Sequence, residues 1–169
     1  MTPVTKSLEM QRGTVPYITL HKGDGSPLDL WQYKGRRNLV LFVAHGTSCP
    51  ECRSYLRALA GRYRELQEWE TELIALVPGK PEEVLDFSCD LNLPNPVALE
   101  QAGMISFKLG LAGEAGAQGP QAGLIIADRW GEIYETFRAG GGHDLPSEDE
   151  VLKNVRFIEI QCPECGVGG

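Results

Sequence analysis

Cys49 and Cys52 stand three residues apart, and Cys162 and Cys165 repeat the same Cys-Pro-Glu-Cys letters near the end of a 169-residue chain, with Cys89 alone between the pairs. Residues Met1 to Val15 are polar and hold no apolar leader core, so five cysteines here point to redox or metal chemistry rather than a disulfide framework. Only a thiolate attacks a peroxide oxygen or a disulfide sulfur. The sequence must therefore show which sulfur is kept ionised and reachable.

Asn38 to Ala44 (NLVLFVA) is a strand-length apolar run that leads directly into His45-Gly46-Thr47-Ser48-Cys49. Beyond it, Leu56, Leu59, Ala60, Tyr63, Leu66 and Trp69 recur at helical spacing, which predicts one long amphipathic helix from Cys49 to Trp69. Arg53, Arg57, Arg62 and Arg64 are assigned to its solvated face. Cys49 then sits at a helix N-terminus, where free amides and about half a positive charge favour the thiolate. It is the expected nucleophile. Cys52, one turn on, is the expected resolving thiol, since this spacing brings two sulfurs near disulfide range. Pro50 suits the first helical position, whereas the charge of Glu51 opposes ionisation of Cys49. Thr47, Ser48 and the first helical amides are placed to stabilise developing negative charge. His45, four residues before Cys49, either tunes or relays the thiol's proton or is an ordinary loop histidine.

The remaining elements must hold that junction. Val15 to Leu20 and the turn His21 to Pro27 predict an N-terminal strand or hairpin. Leu73 to Val77 reads as a second buried strand, and Pro81 opens a helix through Val84, Leu85 and Phe87, with Cys89 as a small core residue. Ala102 to Leu109 is a further helical stretch, followed by a small-residue loop from Leu111 to Pro120. Leu124 to Asp128 and Glu132 to Phe137 flank Arg129-Trp130-Gly131 and predict an antiparallel hairpin. Ser147 and Glu150 form a capping-box signature ahead of Val151, Leu152, Val155 and Ile158. The order β-α-β-α then β-β-α fits a thioredoxin-like three-layer α/β/α sandwich with a central mixed sheet and an N-terminal strand extension. Residues 1–13 are an extension, 14–160 the domain, and 161–169 a cysteine-containing tail.

Sixteen Lys+Arg against 23 Asp+Glu leave a net charge of −7, which argues against a nucleic-acid or anionic-lipid partner. The longest apolar run, Leu39 to Ala44, is far too short to cross a bilayer, and a cytoplasmic location is the expectation.

Val43-Ala44-His45-Gly46-Thr47-Ser48-Cys49-Pro50-Glu51-Cys52-Arg53, followed by Leu56-Arg57-Ala58-Leu59, resembles the peroxiredoxin-like branch of the alkyl hydroperoxide reductase C/thiol-specific antioxidant family. Leu73 to Pro78, and Gly123 to Asp128 followed by Gly131, are similar to that family's central and late strands. The resemblance implies a thioredoxin fold and thiol-based antioxidant or oxidoreductase activity, with Cys49 at the peroxidatic position. It also implies a proline before the late strand that faces the cysteines, for which Pro120 is the nearby candidate. Two positions depart from the family pattern. Gly46 stands three residues before Cys49, where Thr or Ser is usual, and Ala122 precedes the late strand near the place of an active-site arginine.

The expected partners are a hydroperoxide or disulfide substrate and an external dithiol reductant such as a thioredoxin, and a homodimer is compatible with the sequence. Cys162 and Cys165 follow a helix rather than start one, so they read as a tail dithiol able to reduce the first pair by exchange. No cofactor is expected on that reading. The alternative is a zinc-binding interaction module in which Cys49, Cys52, Cys162 and Cys165 form a four-thiolate set. A redox-inert scaffold of the same fold is the third reading.

Overall fold

The computed structural model describes residues 13–100, 105, 122–138 and 145–161. Its strands are β1 (Thr19–His21), β2 (Pro27–Asp29), β3 (Asn38–Val43), β4 (Thr71–Val77), β5 (Val97–Leu99), β6 (Gly123–Ala127) and β7 (Ile133–Arg138). Its helices are α1 (Pro50–Ala60), α2 (Tyr63–Glu68), α3 (Pro81–Asp90) and α4 (Glu148–Ile160), with a single 3-10 turn at Leu30–Tyr33.

The central sheet has the order β5-β4-β3-β6-β7, parallel between β3, β4 and β5 and antiparallel from β3 through β6 to β7. β3 is buried along its whole length because side chains alternate between two covered faces. Val40, Phe42 and Ala44 join α1, α2, α3 and α4 through Leu56, Leu59, Leu66, Phe87, Val155 and their neighbours. Leu39, Leu41 and Val43 face Leu20 and Leu28 of the β1–β2 hairpin, Leu30 and Tyr33 of the 3-10 turn, and the helical Ile105. This is the expected thioredoxin-like α/β sandwich on a mixed sheet. The stretch predicted as an N-terminal strand or hairpin forms the β1–β2 hairpin, and the hairpin at 123–138 and the helix capped by Ser147 are also present.

Two expectations are corrected, and one strand that the sequence does not announce is added. The helix after Cys49 does not run to Trp69: it ends at Ala60, and Gly61 and Arg62 separate it from α2. Glycine is a weak helix former, and Arg62 at ψ 15° is already outside the helical region. Cys89 is exposed rather than in the core, because α3 presents Val84 and Phe87 to the sheet and residue 89 falls on the opposite side. Leu85 shares that outer side and is 42% exposed. β5 is an edge strand of three residues, too short to leave a periodic signal.

Leu56 is fully buried against the strands and sets how α1 lies on the sheet. Truncation by Leu56→Ala is expected to cost about 2–5 kcal/mol through lost contacts and a residual cavity. Urea denaturation of the purified variant measures it.

Candidate active site

β3 ends at Val43, Ala44 donates its N–H to the carbonyl of Leu76, and residues 45–49 turn into α1. Cys49 is the N-cap of α1, with extended backbone (φ −74°, ψ 112°). Its sulfur does the work an N-cap oxygen usually does: the N–H of Cys52 donates to Cys49 Sγ at 3.4 Å. Pro50 occupies the first turn, where its missing N–H leaves nothing unpaired.

The two cysteines differ in exposure. Cys49 is half-buried, whereas Cys52 is sealed among Phe42, Ala44, Leu56 and other apolar residues of the core. Burial pushes the Cys52 thiol up to about 12, against the downward pull of the His45 N–H, which donates to Cys52 Sγ at 3.3 Å. The Cys49 thiol points at Glu51, with Sγ 3.4 Å from Oε2. His45 lies between the sulfurs, its Nδ1 at 3.8 Å from Cys49 Sγ and 3.8 Å from Cys52 Sγ. These three side-chain donors all fall within 4.8 Å of one another.

Thr47 and Ser48 belong to the loop that sets this geometry, with Thr47 half-buried and Ser48 exposed. The carbonyl of Thr47 accepts a 2.7 Å hydrogen bond from Arg53 Nε, and the Arg53 guanidinium lies 5.2 Å from the centre of the Phe87 ring. Arg53 thus ties the loop to α1 instead of lying on a solvated face. Gly79, at φ +143°, lets the end of β4 come close to the same loop: a Cβ there would lie 3.6 Å from Thr47 Cγ2. Neither role is visible in the sequence, where Arg53 is one of four helix arginines and Gly79 reads as a turn residue. Among the described residues, a Cβ on Gly46 would meet nothing within 4 Å.

Ala122 is buried, and Gly123 pairs with Val43, which brings the start of β6 beside the end of β3. Pro120 lies outside the described residues, as do Cys162 and Cys165. α4, which precedes the tail cysteines, has its last turn at the other end of the strand. Glu159 accepts from Asn38 at 3.1 Å and pairs with Arg129, and Asn38 to Val43 spans about 17 Å of strand. Cys162 lies three positions after Glu159, at most about 10 Å of extended chain.

Comparison with known proteins bears on the family and the fold. Residues 12–136 match the family model described as AhpC/TSA family. A peroxiredoxin from Ignicoccus hospitalis is 23% identical over 154 residues, covering 86% of this chain and 64% of its own length. The chain therefore spans less than two thirds of that curated relative. Among solved structures, peroxidoxin BcpB from Mycobacterium tuberculosis is similar with a TM-score of 0.72 at 15% identity, over 89% of this chain and 96% of that one. Peroxiredoxin Q from Xanthomonas campestris gives 0.73 at 13% identity, over 84% and 91%. A secreted disulfide oxidoreductase from Mycobacterium tuberculosis, homologous to DsbE of E. coli, gives 0.65 at 15% identity, over 82% and 94%. At these identities the structural likenesses establish the fold.

The difference in burial orders the reactivity of the thiols. A neutral alkylating reagent applied to the folded, reduced protein is expected to modify Cys49 and Cys89 first and Cys52 at least about tenfold more slowly. Peptide mass mapping over time checks this, and equal labelling of Cys49 and Cys52 would contradict the sealed position of Cys52.

Proposed function

The chain belongs to the AhpC/TSA family, and from that premise we propose that it is a thiol-dependent peroxidase or thiol-disulfide oxidoreductase working through Cys49 and Cys52. The observation that carries this reading is the N-cap sulfur. Cys49 Sγ accepts the N–H of Cys52 at the start of a helix, so an anion on that atom meets an amide donor and the positive end of the helix dipole. The sulfur at this position is also the more accessible of the pair, Cys49 being half-buried and Cys52 buried.

With a hydroperoxide, Cys49 Sγ attacks one oxygen, the S–O bond forms as the O–O bond breaks, and the alkoxide or hydroxide leaves and takes up a proton. Cys52 Sγ then attacks the sulfur of the resulting sulfenic acid: an S–S bond forms, the S–O bond breaks, and hydroxide leaves with the Cys52 proton as water. The sulfurs already lie within 4.8 Å, so closure to the roughly 2 Å of a disulfide needs only a shift of the first helical turn. An external dithiol restores the pair by exchange. With a disulfide substrate the same Cys49 attack gives a mixed disulfide that Cys52 resolves.

Reaction of the reduced protein with one equivalent of hydrogen peroxide, followed by disulfide mapping, tests the assignment. A Cys49–Cys52 disulfide is expected, Cys49→Ser should reduce peroxide consumption to background, and Cys52→Ser should stop at a sulfenic acid that a dimedone-type reagent traps. Consumption that survives Cys49→Ser, or oxidation confined to other cysteines, would overturn it.

A further inference from the structure

Two sulfurs and an imidazole nitrogen converging on one point make a donor set as well as a redox pair. We propose that, in the reduced protein, Cys49 Sγ, Cys52 Sγ and His45 Nδ1 bind one thiophilic divalent cation of the zinc or cadmium class, leaving a fourth position for water or an incoming ligand. In a tetrahedral zinc site with Zn–S near 2.3 Å and Zn–N near 2.0 Å, a sulfur and a nitrogen ligand lie about 3.5 Å apart. His45 Nδ1 is 3.8 Å from each sulfur, so a shift of a few tenths of an ångström brings each sulfur–nitrogen pair to that distance, and the sulfurs, within 4.8 Å of one another, need to close by no more than about 1 Å.

The surroundings suit bound metal. Each sulfur already accepts a backbone N–H, from Cys52 to Cys49 Sγ at 3.4 Å and from His45 to Cys52 Sγ at 3.3 Å, the kind of outer contact that orients a ligand and supports charge on it. Cys52 is fixed by the core, while Cys49 and His45 are half-buried, so the fourth corner faces the accessible side. The set is complete without the tail cysteines, which follow a helix ending at the far end of β3. It therefore differs from a four-thiolate site that would span both Cys-Pro-Glu-Cys motifs.

Binding exchanges the two thiol protons for the cation, and oxidation to the disulfide removes both thiolate ligands. Two electrons pass from the metal-bound thiolates to a hydroperoxide, the S–S bond forms as the O–O bond breaks, the two peroxide oxygens take up two protons from solvent and leave as water and an alcohol (two waters from hydrogen peroxide), and the cation is released. Metal on Cys49 also blocks its attack, a regulatory consequence that rests on the peroxidase reading, although the binding does not.

Titration of the reduced full-length chain with Cd2+, followed by the ultraviolet thiolate-to-metal charge-transfer band, tests the site independently of activity. One equivalent per chain is expected, with affinity at least about tenfold lower in both His45→Ala and the volume-conserving His45→Gln and unchanged in the Cys162→Ser/Cys165→Ser double variant. Circular dichroism of each variant separates loss of the ligand from loss of the fold. Diamide, an oxidant that needs no peroxidase activity, should release the ion to a chromogenic chelator. Folded His45 variants that bind as tightly as the parent, a site lost with the tail cysteines, or no saturable band would each overturn the proposal.

Discussion

The hydrogen bond from the Cys52 amide to Cys49 Sγ is the contact on which the site depends. Helix starts leave amides without partners, and an oxygen of Ser, Thr, Asp or Asn usually takes one of them. Here a sulfur takes it, so one atom closes the helix and is presented at its positive end. The demands of capping and of nucleophilic chemistry coincide, since both are met best when that sulfur carries negative charge. Glu51 sets the opposing pull, its carboxylate lying 3.4 Å from the same sulfur.

That contact needs a rigid base. β3 supplies it by being buried on both faces, which fixes Ala44 and His45 at the end of a strand unable to shift without disturbing two clusters. Leu56 and Leu59 clamp α1 from within, and the bond from Arg53 to Thr47 holds the loop to the helix from outside. At the opposite end of β3, the buried Asn38 and the half-buried Glu159 and Arg129 form a polar clamp that joins α4 to the sheet. Placing polar work at one strand end and thiol chemistry at the other keeps the fields of these charged groups away from the sulfurs.

The junction was legible because it depends on short-range signals. A continuous apolar run, a Cys-Pro-x-Cys step and a helical stripe each survive in the order of residues, as do the Arg129-Trp130-Gly131 turn and the Ser147 cap. The parts that were not legible depend on distance in space. The helix break at Gly61 leaves the apolar spacing of Leu59, Tyr63 and Leu66 intact, because α2 turns its own apolar side to the same sheet. β5 owes its strand character to pairing with β4, not to its three residues. Arg53 looks like any helix arginine until the loop folds back on it. Cys89 was assigned by residue type alone, and its place two residues after Phe87 turns it outward.

His45 shows how one geometry limits the chemistry available to a thiol pair. A base, a relay and a ligand all require the same thing of a histidine, a ring nitrogen held near the reacting atoms, and Nδ1 is equally distant from both sulfurs. What distinguishes these roles is whether the two sulfurs act in turn or together. In turn, the half-buried Cys49 meets an oxidant first and the sealed Cys52 can only follow, because solvent and substrate reach one and not the other. Together, as two thiolates, they would repel at a separation under 4.8 Å unless a cation lay between them. The unequal burial therefore suits sequential redox chemistry, while the convergence of donors suits a cation, and oxidation of the pair decides which of the two the site can support.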